Sequence, residues 1–233
     1  MLQNESSGLQ LTAYRAEEYL KLYTGKLQAR RLECFAEKIP SVADDFMKRS
    51  QSILEEGLDE NEYKQFIVRA QSHGYTNIIE NEESIIKISE RFRMQSEQLN
   101  LQLDTYKRNL QRDEILSTYL KLGSIHYEHG DYQTACQLYL ESRAYAVGFN
   151  QQIQILLKLI QLSTYSRLAA VMERVDSFVQ DLCLTPVDAP TKIFLSIYEA
   201  CLGLHCFWNR EYASAANHFL SCFPEMDNKW NEV

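Results

Sequence analysis

Two groups of side chains have the types and spacing that metal chemistry uses. His126, Glu128 and His129 fall within four residues of one another. Cys206, His218 and Cys222 form a second set, whose last two members are four residues apart and so share a helix face. Imidazoles and thiolates are the ordinary ligands of zinc, which takes four in a structural tetrahedron and three plus a water in a hydrolytic site. Neither set reaches that count. The histidines lie near a turn with no third ligand close in sequence, and Cys206 and Cys222 fall where the surrounding pattern wants small core side chains. There is no His-Glu-x-x-His or His-x-His signature, no phosphate-binding glycine loop and no nucleophile elbow. Glu55-Glu56 and Glu80–Glu83 read as solvated faces. The expectation is therefore no catalytic residue, no metal and no cofactor.

The remaining chemistry is ionic. Arg91, Arg93, Lys107, Arg108 and Arg112 concentrate positive charge along one stretch, and Arg30-Arg31 do so on a smaller scale. Either this is a solvated face laced with i,i+4 pairs, or it docks an acidic partner through directed guanidinium hydrogen bonds. The net charge of −8 argues against nucleic acid as the main ligand. No run of 18 apolar residues is present to span a membrane. Met1–Gln10 is polar and lacks an apolar signal core, which points to an intracellular protein. Six cysteines without paired spacing read as small buried apolar residues in a reducing compartment.

The elements that carry these residues are signalled by a repeat. Gly123 is followed by Tyr132, Ala135 and Tyr139 at offsets of nine, twelve and sixteen; eighty residues later Gly203 is followed by Tyr212, Ala215 and Phe219 at the same offsets. A glycine inside a first helix lets a neighbour approach closely. Gly130 ends that helix and Asp131 caps the next. The alanine is small where the helices cross, and the second aromatic fills the groove one turn on. This is a tetratricopeptide-type helix–turn–helix, weaker in the second copy because Arg210 replaces the turn glycine. An offset of two units implies a degenerate pair between the copies. Ile155, Leu156, Leu159, Ile160 and Leu162 form one apolar stripe there, and Val171, Val175, Phe178, Val179 and Leu182 the next.

Upstream the pattern is again short helices. Thr12–Tyr23 stops at Gly25 and Lys26–Ile39 stops at Pro40. Ser41 is expected to cap a third helix ending near Gly57. Asp59 caps a fourth, ending near Gly74, with Tyr63, Phe66, Ile67 and Ala70 inward. Residues 83–112 differ: Ile85, Ile88, Phe92, Leu99, Leu103, Tyr106 and Leu110 step by three, four or seven without Gly or Pro, which predicts one long spine helix. Thr185–Pro190 reads as a loop, followed by a helix from Thr191 to Trp208 and its partner from Glu211 to Phe223, ended by Pro224. Met226, Trp230 and Val233 are apolar where a solenoid normally carries a polar cap, so the chain is expected to be part of a longer protein or a short isoform. Eight Gly and four Pro among 233 residues favour an all-α fold. The prediction is a right-handed tetratricopeptide-like helical-repeat solenoid with one long spine helix: N-terminal helix pairs (1–82), linking helix (83–112) and repeats (113–233).

These residues also support a resemblance. Tyr-Leu-Lys-Leu-Gly-Ser-Ile-His-Tyr-Glu-His-Gly-Asp-Tyr-Gln-Thr-Ala (119–135) resembles the corresponding repeat of the subunit-one family of the COP-9 signalosome. Tyr19-x-x-x-Tyr23-x-Gly25, Arg31-Leu32-x-x-x-Ala36 and Pro40 are similar to that family's opening. Leu103-Asp104-x-Tyr106-Lys107 is similar to the end of its long helix, and Ser163-x-Tyr165 and Phe223-Pro224-Glu225 fall in family order. A paralogous subunit of the proteasome lid ranks second. The resemblance implies a noncatalytic scaffold in a complex that removes the ubiquitin-like protein Nedd8 from cullins, with the peptidase site on another subunit. It implies other signalosome subunits as partners, cullin-RING ligases beside them, and a place in cytoplasm and nucleus. It also implies a following PCI winged-helix domain that mediates assembly, before which this chain stops. A free-standing repeat adaptor for short peptides is the alternative from another class.

Overall fold

A computed structural model describes residues 13–166, 169–183 and 189–226. Among these the chain is all-α, with no strand, and its helices pack as adjacent pairs in the manner of a helical-repeat solenoid. In chain order they are α1 (Ala13–Leu20), α2 (Gly25–Lys38), α3 (Ala43–Glu56), α4 (Glu60–Ser72), α5 (Glu82–Arg108), α6 (Arg112–His129), α7 (Tyr132–Ser142), α8 (Phe149–Ser166), α9 (Ala169–Cys183), α10 (Ala189–Trp208) and α11 (Tyr212–Met226). Two compact units are distinguished: Met1–Gln98 with Glu128–Gly130, and Leu99–Tyr127 with Asp131–Val233.

In the first unit, α2 and α3 pair tightly because small residues meet. Ala29 and Ala36 are buried, and the fully buried Ser50 hydroxyl donates to the Ala29 carbonyl at 3.1 Å. α4 carries its own start and stop signals. The Asp59 carboxylate accepts from the Glu62 N–H at 2.9 Å, supplying one of the partners that a first turn lacks. Gly74, at φ +90°, closes the other end with bonds from its own N–H to Gln71 O and from Tyr75 N–H to Ala70 O. Tyr63, Phe66, Ile67 and Ala70 recur at helical spacing and are buried with Leu32, Phe46 and Ile88. The N-terminus of α3 differs from expectation. Pro40–Val42 form a 3₁₀ turn, so Ser41 is already inside helical backbone, and α3 begins after Val42 with no side-chain cap.

α5 is one helix of 27 residues, about 40 Å long at 1.5 Å per residue. It ends at Arg108, earlier than the expected 112. Leu110 takes φ +54°, with Gln111 N–H bonded to Tyr106 O and Leu110 N–H to Lys107 O. That is the left-handed closure glycine usually provides, here built by a leucine. Leu110 is consequently 86% exposed and outside the apolar stripe, and Arg112 opens α6 rather than closing α5.

The second unit holds three successive pairs: α6/α7, α8/α9 and α10/α11. The degenerate middle pair buries Ile155, Leu156, Leu159, Ile160, Leu162, Val171, Val175 and Val179 in a single core with Tyr139 and Phe194. α10 begins at Ala189, slightly before Thr191, and α11 runs past Pro224 to Met226. Helix ends shift by such amounts, and Pro190 falls in the first turn of α10, where its missing N–H has no intrahelical partner to lose. The centre of the expected Thr185–Pro190 loop, Met1–Gln10, Trp230 and Val233 lie outside the described residues.

Candidate protein-interaction surfaces

The two sequence repeats have the same internal geometry. A Cβ built on Gly123 would lie 2.7 Å from Cδ1 and 2.9 Å from Cζ of Tyr139, and closer still to Cε1; one built on Gly203 would lie 2.6 Å from Cε1 of Phe219. In both copies the aromatic ring occupies the space a side chain would need. Ala135 and Ala215 are both buried. Tyr127 meets Tyr132 with ring centroids 5.8 Å apart, and Phe207 meets Tyr212 at 5.7 Å. Asp131 N–H donates to His126 O at 2.9 Å, and Glu211 N–H to Cys206 O at 2.9 Å. Gly130 has φ +88°, and Arg210, which replaces it, takes φ +66°. The turn therefore keeps its shape without glycine, at a steric cost of about 1 kcal/mol.

Exposure separates the copies. Tyr127 is 7% exposed, and Tyr132 and Leu140 pack on the core that the first pair shares with α8 and α9. The residues eighty positions on, Phe207, Tyr212 and Leu220, are 53%, 60% and 66% exposed. The face that is covered in α6/α7 is thus open in α10/α11. It presents two aromatic rings and a leucine, the side chains that anchor protein interfaces when a partner desolvates them. Of this face the repeat pattern marks Tyr212 alone. Phe207 and Leu220 are signalled only in duplicating side chains that the first copy packs on its core.

The basic residues fall in both units and are engaged in different ways. Arg91 donates to the carbonyls of Glu55 and Gly57 at 3.2 and 2.7 Å, satisfying the end of α3. Arg93 pairs with Glu97 one turn on, at 3.2 Å in solvent. Lys107 sits 4.9 Å from the Tyr119 ring centroid, and its hydrogen bond to that phenol raises its pKa. Arg112 donates to Tyr145 O and Ala144 O, both at 3.0 Å. Arg108 is exposed. Arg30 forks onto Glu62, and Arg31 stacks 3.6 Å from the Tyr23 ring centroid.

Four of the metal candidates are likewise engaged elsewhere. His126 Nδ1 lies 3.3 Å from Asp131 Oδ2. His129 donates from Nδ1 to the Leu58 carbonyl at 2.8 Å and stacks on Phe92, centroids 3.7 Å apart. His218 pairs with Glu199 at 2.8 Å, and the buried Cys222 thiol donates to Phe219 O. Among the described residues no group of three His, Cys, Asp or Glu is placed to hold a metal ion. The expectation of buried thiols holds among the described residues for Cys222 alone: Cys136, Cys201 and Cys206 are part-buried and Cys34 is exposed on α2, while the side chain of Cys183 lies outside the described ones.

Sequence reasoning missed a polar network between α2 and α4. Glu62, only 5% exposed, accepts from Arg30 at 3.0 and 2.5 Å and from Arg69 at 2.9 Å; Arg69 also reaches Glu33 at 2.9 and 3.1 Å. Burial works to raise the Glu62 pKa, but hydrogen bonds and charge from Arg30 and Arg69 outweigh it and hold the carboxyl below its ordinary 4.5. A carboxyl with a lowered folded pKa stabilises the fold above its unfolded pKa, and that contribution disappears as pH falls through the folded value. Urea midpoints are expected to drop below about pH 4.5, and Glu62→Gln is expected to flatten that acid limb while lowering stability at pH 7. An acid limb identical in the variant would remove Glu62 from the explanation.

Paired helices with a repeated internal register define a helical-repeat protein. The family model described as 26S proteasome subunit RPN7 matches residues 81–233, well over half of the chain, and the chain belongs to that family. It is also 31% identical over 128 residues to COP9 signalosome complex subunit 1 of Schizosaccharomyces pombe, an alignment covering 53% of this chain and 28% of that protein. The chain thus spans under a third of the length of that relative.

Proposed function

We propose that this protein is a noncatalytic scaffold subunit of the COP9 signalosome, supporting removal of Nedd8 from cullin-RING ubiquitin ligases through protein–protein contacts. The observation that carries the reading is the open face of Phe207, Tyr212 and Leu220 on a repeat framework, taken with the likeness to a signalosome subunit. Apolar and aromatic anchors supply binding energy, and charged residues orient the dock. The partners are the other signalosome subunits and, beside them, cullin-RING ligases. Neither nucleic acid nor membrane is a ligand; among the described residues no helix is long and apolar enough to cross a bilayer. The protein acts in cytoplasm and nucleus. The description of the matching family favours a second reading, a subunit of the proteasome regulatory-particle lid.

Affinity purification of the chain from cells, with quantitative mass spectrometry, tests both. Near-stoichiometric signalosome subunits, with neddylated cullin alongside, are expected. Lid subunits in their place would move the assignment to the second reading. A solitary chain would overturn both and leave a free-standing peptide-binding adaptor.

A further inference from the structure

An open groove of about 600 Å³ lies wholly within the second unit, between the last turns of α5 and the facing sides of α6 and α8. Its floor is apolar: Leu99, Leu120 and Ile125 line it. Its rim is polar, with Lys121 of α6 and Gln151 and Gln154 of α8. The volume is that of a ligand site, but the space is open to solvent and bounded by helices, as a groove that receives a peptide segment is.

The charge along this trough selects the occupant. Lys121 is exposed and makes no hydrogen bond or ion pair with any described residue. Lys158 follows Gln154 by one helical turn on α8, therefore on the same side, and is likewise without a partner among the described residues. The acid that lines the groove, Asp113, lies two turns of α6 from Lys121 and accepts from the Gln151 amide at 3.3 Å. Open charge at the Lys121 end is thus positive, beside an apolar floor whose Leu99, Leu120 and Ile125 are each part-buried and part-open to solvent. We propose that this groove receives a short amphipathic helix of a partner protein, its apolar side chains on Leu99, Leu120 and Ile125 and its flanking carboxylates facing Lys121 and Lys158. Apolar contact supplies affinity, and the lysines set polarity and register. The site is separate from the face of α10/α11 and does not depend on which complex the chain joins.

The test is fluorescence anisotropy of the full chain with a labelled helical peptide about four turns long, bearing leucines on one face and glutamates beside them. Its twin carries lysine for every glutamate. Saturable binding of the acidic peptide is expected, at least about tenfold tighter than the twin and weakened by salt. Lys121→Glu should weaken the acidic peptide about fivefold and improve the twin, with the helical circular dichroism unchanged. Lys158→Glu should act in the same direction, and Lys121→Glu decides alone if that second, half-buried substitution disturbs folding. Equal binding of the two peptides, or an acidic peptide indifferent to Lys121→Glu, overturns the proposal. So does concentration-dependent dimerisation in sedimentation that Lys121→Glu relieves, since the occupant would then be a second copy of the chain.

Discussion

Alanine at Gly123 lowers the melting temperature by about 5 °C, whereas alanine at Gly203 changes it little. The two glycines hold equivalent positions, so the contrast isolates packing. An alanine inside a helix gains about 1 kcal/mol over glycine in intrinsic propensity. Against this stands the ring of Tyr139, with Cδ1 and Cζ at 2.7 and 2.9 Å from the new methyl and Cε1 nearer. Tyr139 is 2% exposed and hydrogen-bonded toward Ser124 at 3.3 Å, so its ring has nowhere to go. Overpacking a filled core costs about 3 kcal/mol at the upper end, leaving a net loss of about 2 kcal/mol. Phe219 meets Gly203 almost as closely but is only part-buried, so its ring is expected to yield toward solvent. Thermal melts followed by circular dichroism check this. Pairing Gly123→Ala with Tyr139→Leu should recover part of the loss, because two residues in contact are not additive. Equal melting points for the two alanine variants would mean that the rings do not set the helix spacing.

Most of the framework was legible because its signals are local. Asp59 and Asp131 cap the helices that follow them, Gly74 and Gly130 close those that precede them, and the stripes of α8 and α9 are buried where their periodicity placed them, apart from the part-buried Phe178 and from Leu182, whose side chain lies outside the described ones. Legibility failed where a residue took a conformation its type disfavours. Leu110 adopts a left-handed φ with no glycine to announce it, so periodicity alone carries α5 past its end at Arg108 and puts Arg112 on the wrong helix. It failed again where partners are distant in sequence. Glu62 is satisfied by Arg30, 32 residues away, and Arg91 closes α3 from 34 to 36 residues away, so charges that read as a free basic face are partly internal fittings. The open end face is invisible to composition. Phe207, Tyr212 and Leu220 have the same or similar types as Tyr127, Tyr132 and Leu140, and only their exposure in the folded chain tells the two sets apart.

That face carries the second large effect. Aspartate at Phe207 and Leu220 places two carboxylates where an interface needs desolvated apolar anchors. Each anchor of this kind is worth about 2 kcal/mol or more on truncation, about 30-fold in affinity. Together the two substitutions are expected to remove the chain from its complex. Both side chains are more than half exposed, so the fold itself should be unaffected.

The decisive comparison is size-exclusion chromatography of the affinity-purified wild-type chain and the Phe207→Asp/Leu220→Asp variant, with the co-eluting proteins identified. A stackable surface predicts a large multisubunit species for the first and a free chain of unchanged helicity and melting temperature for the second. A variant that keeps its full set of companions, or a wild-type chain that elutes alone, would contradict it.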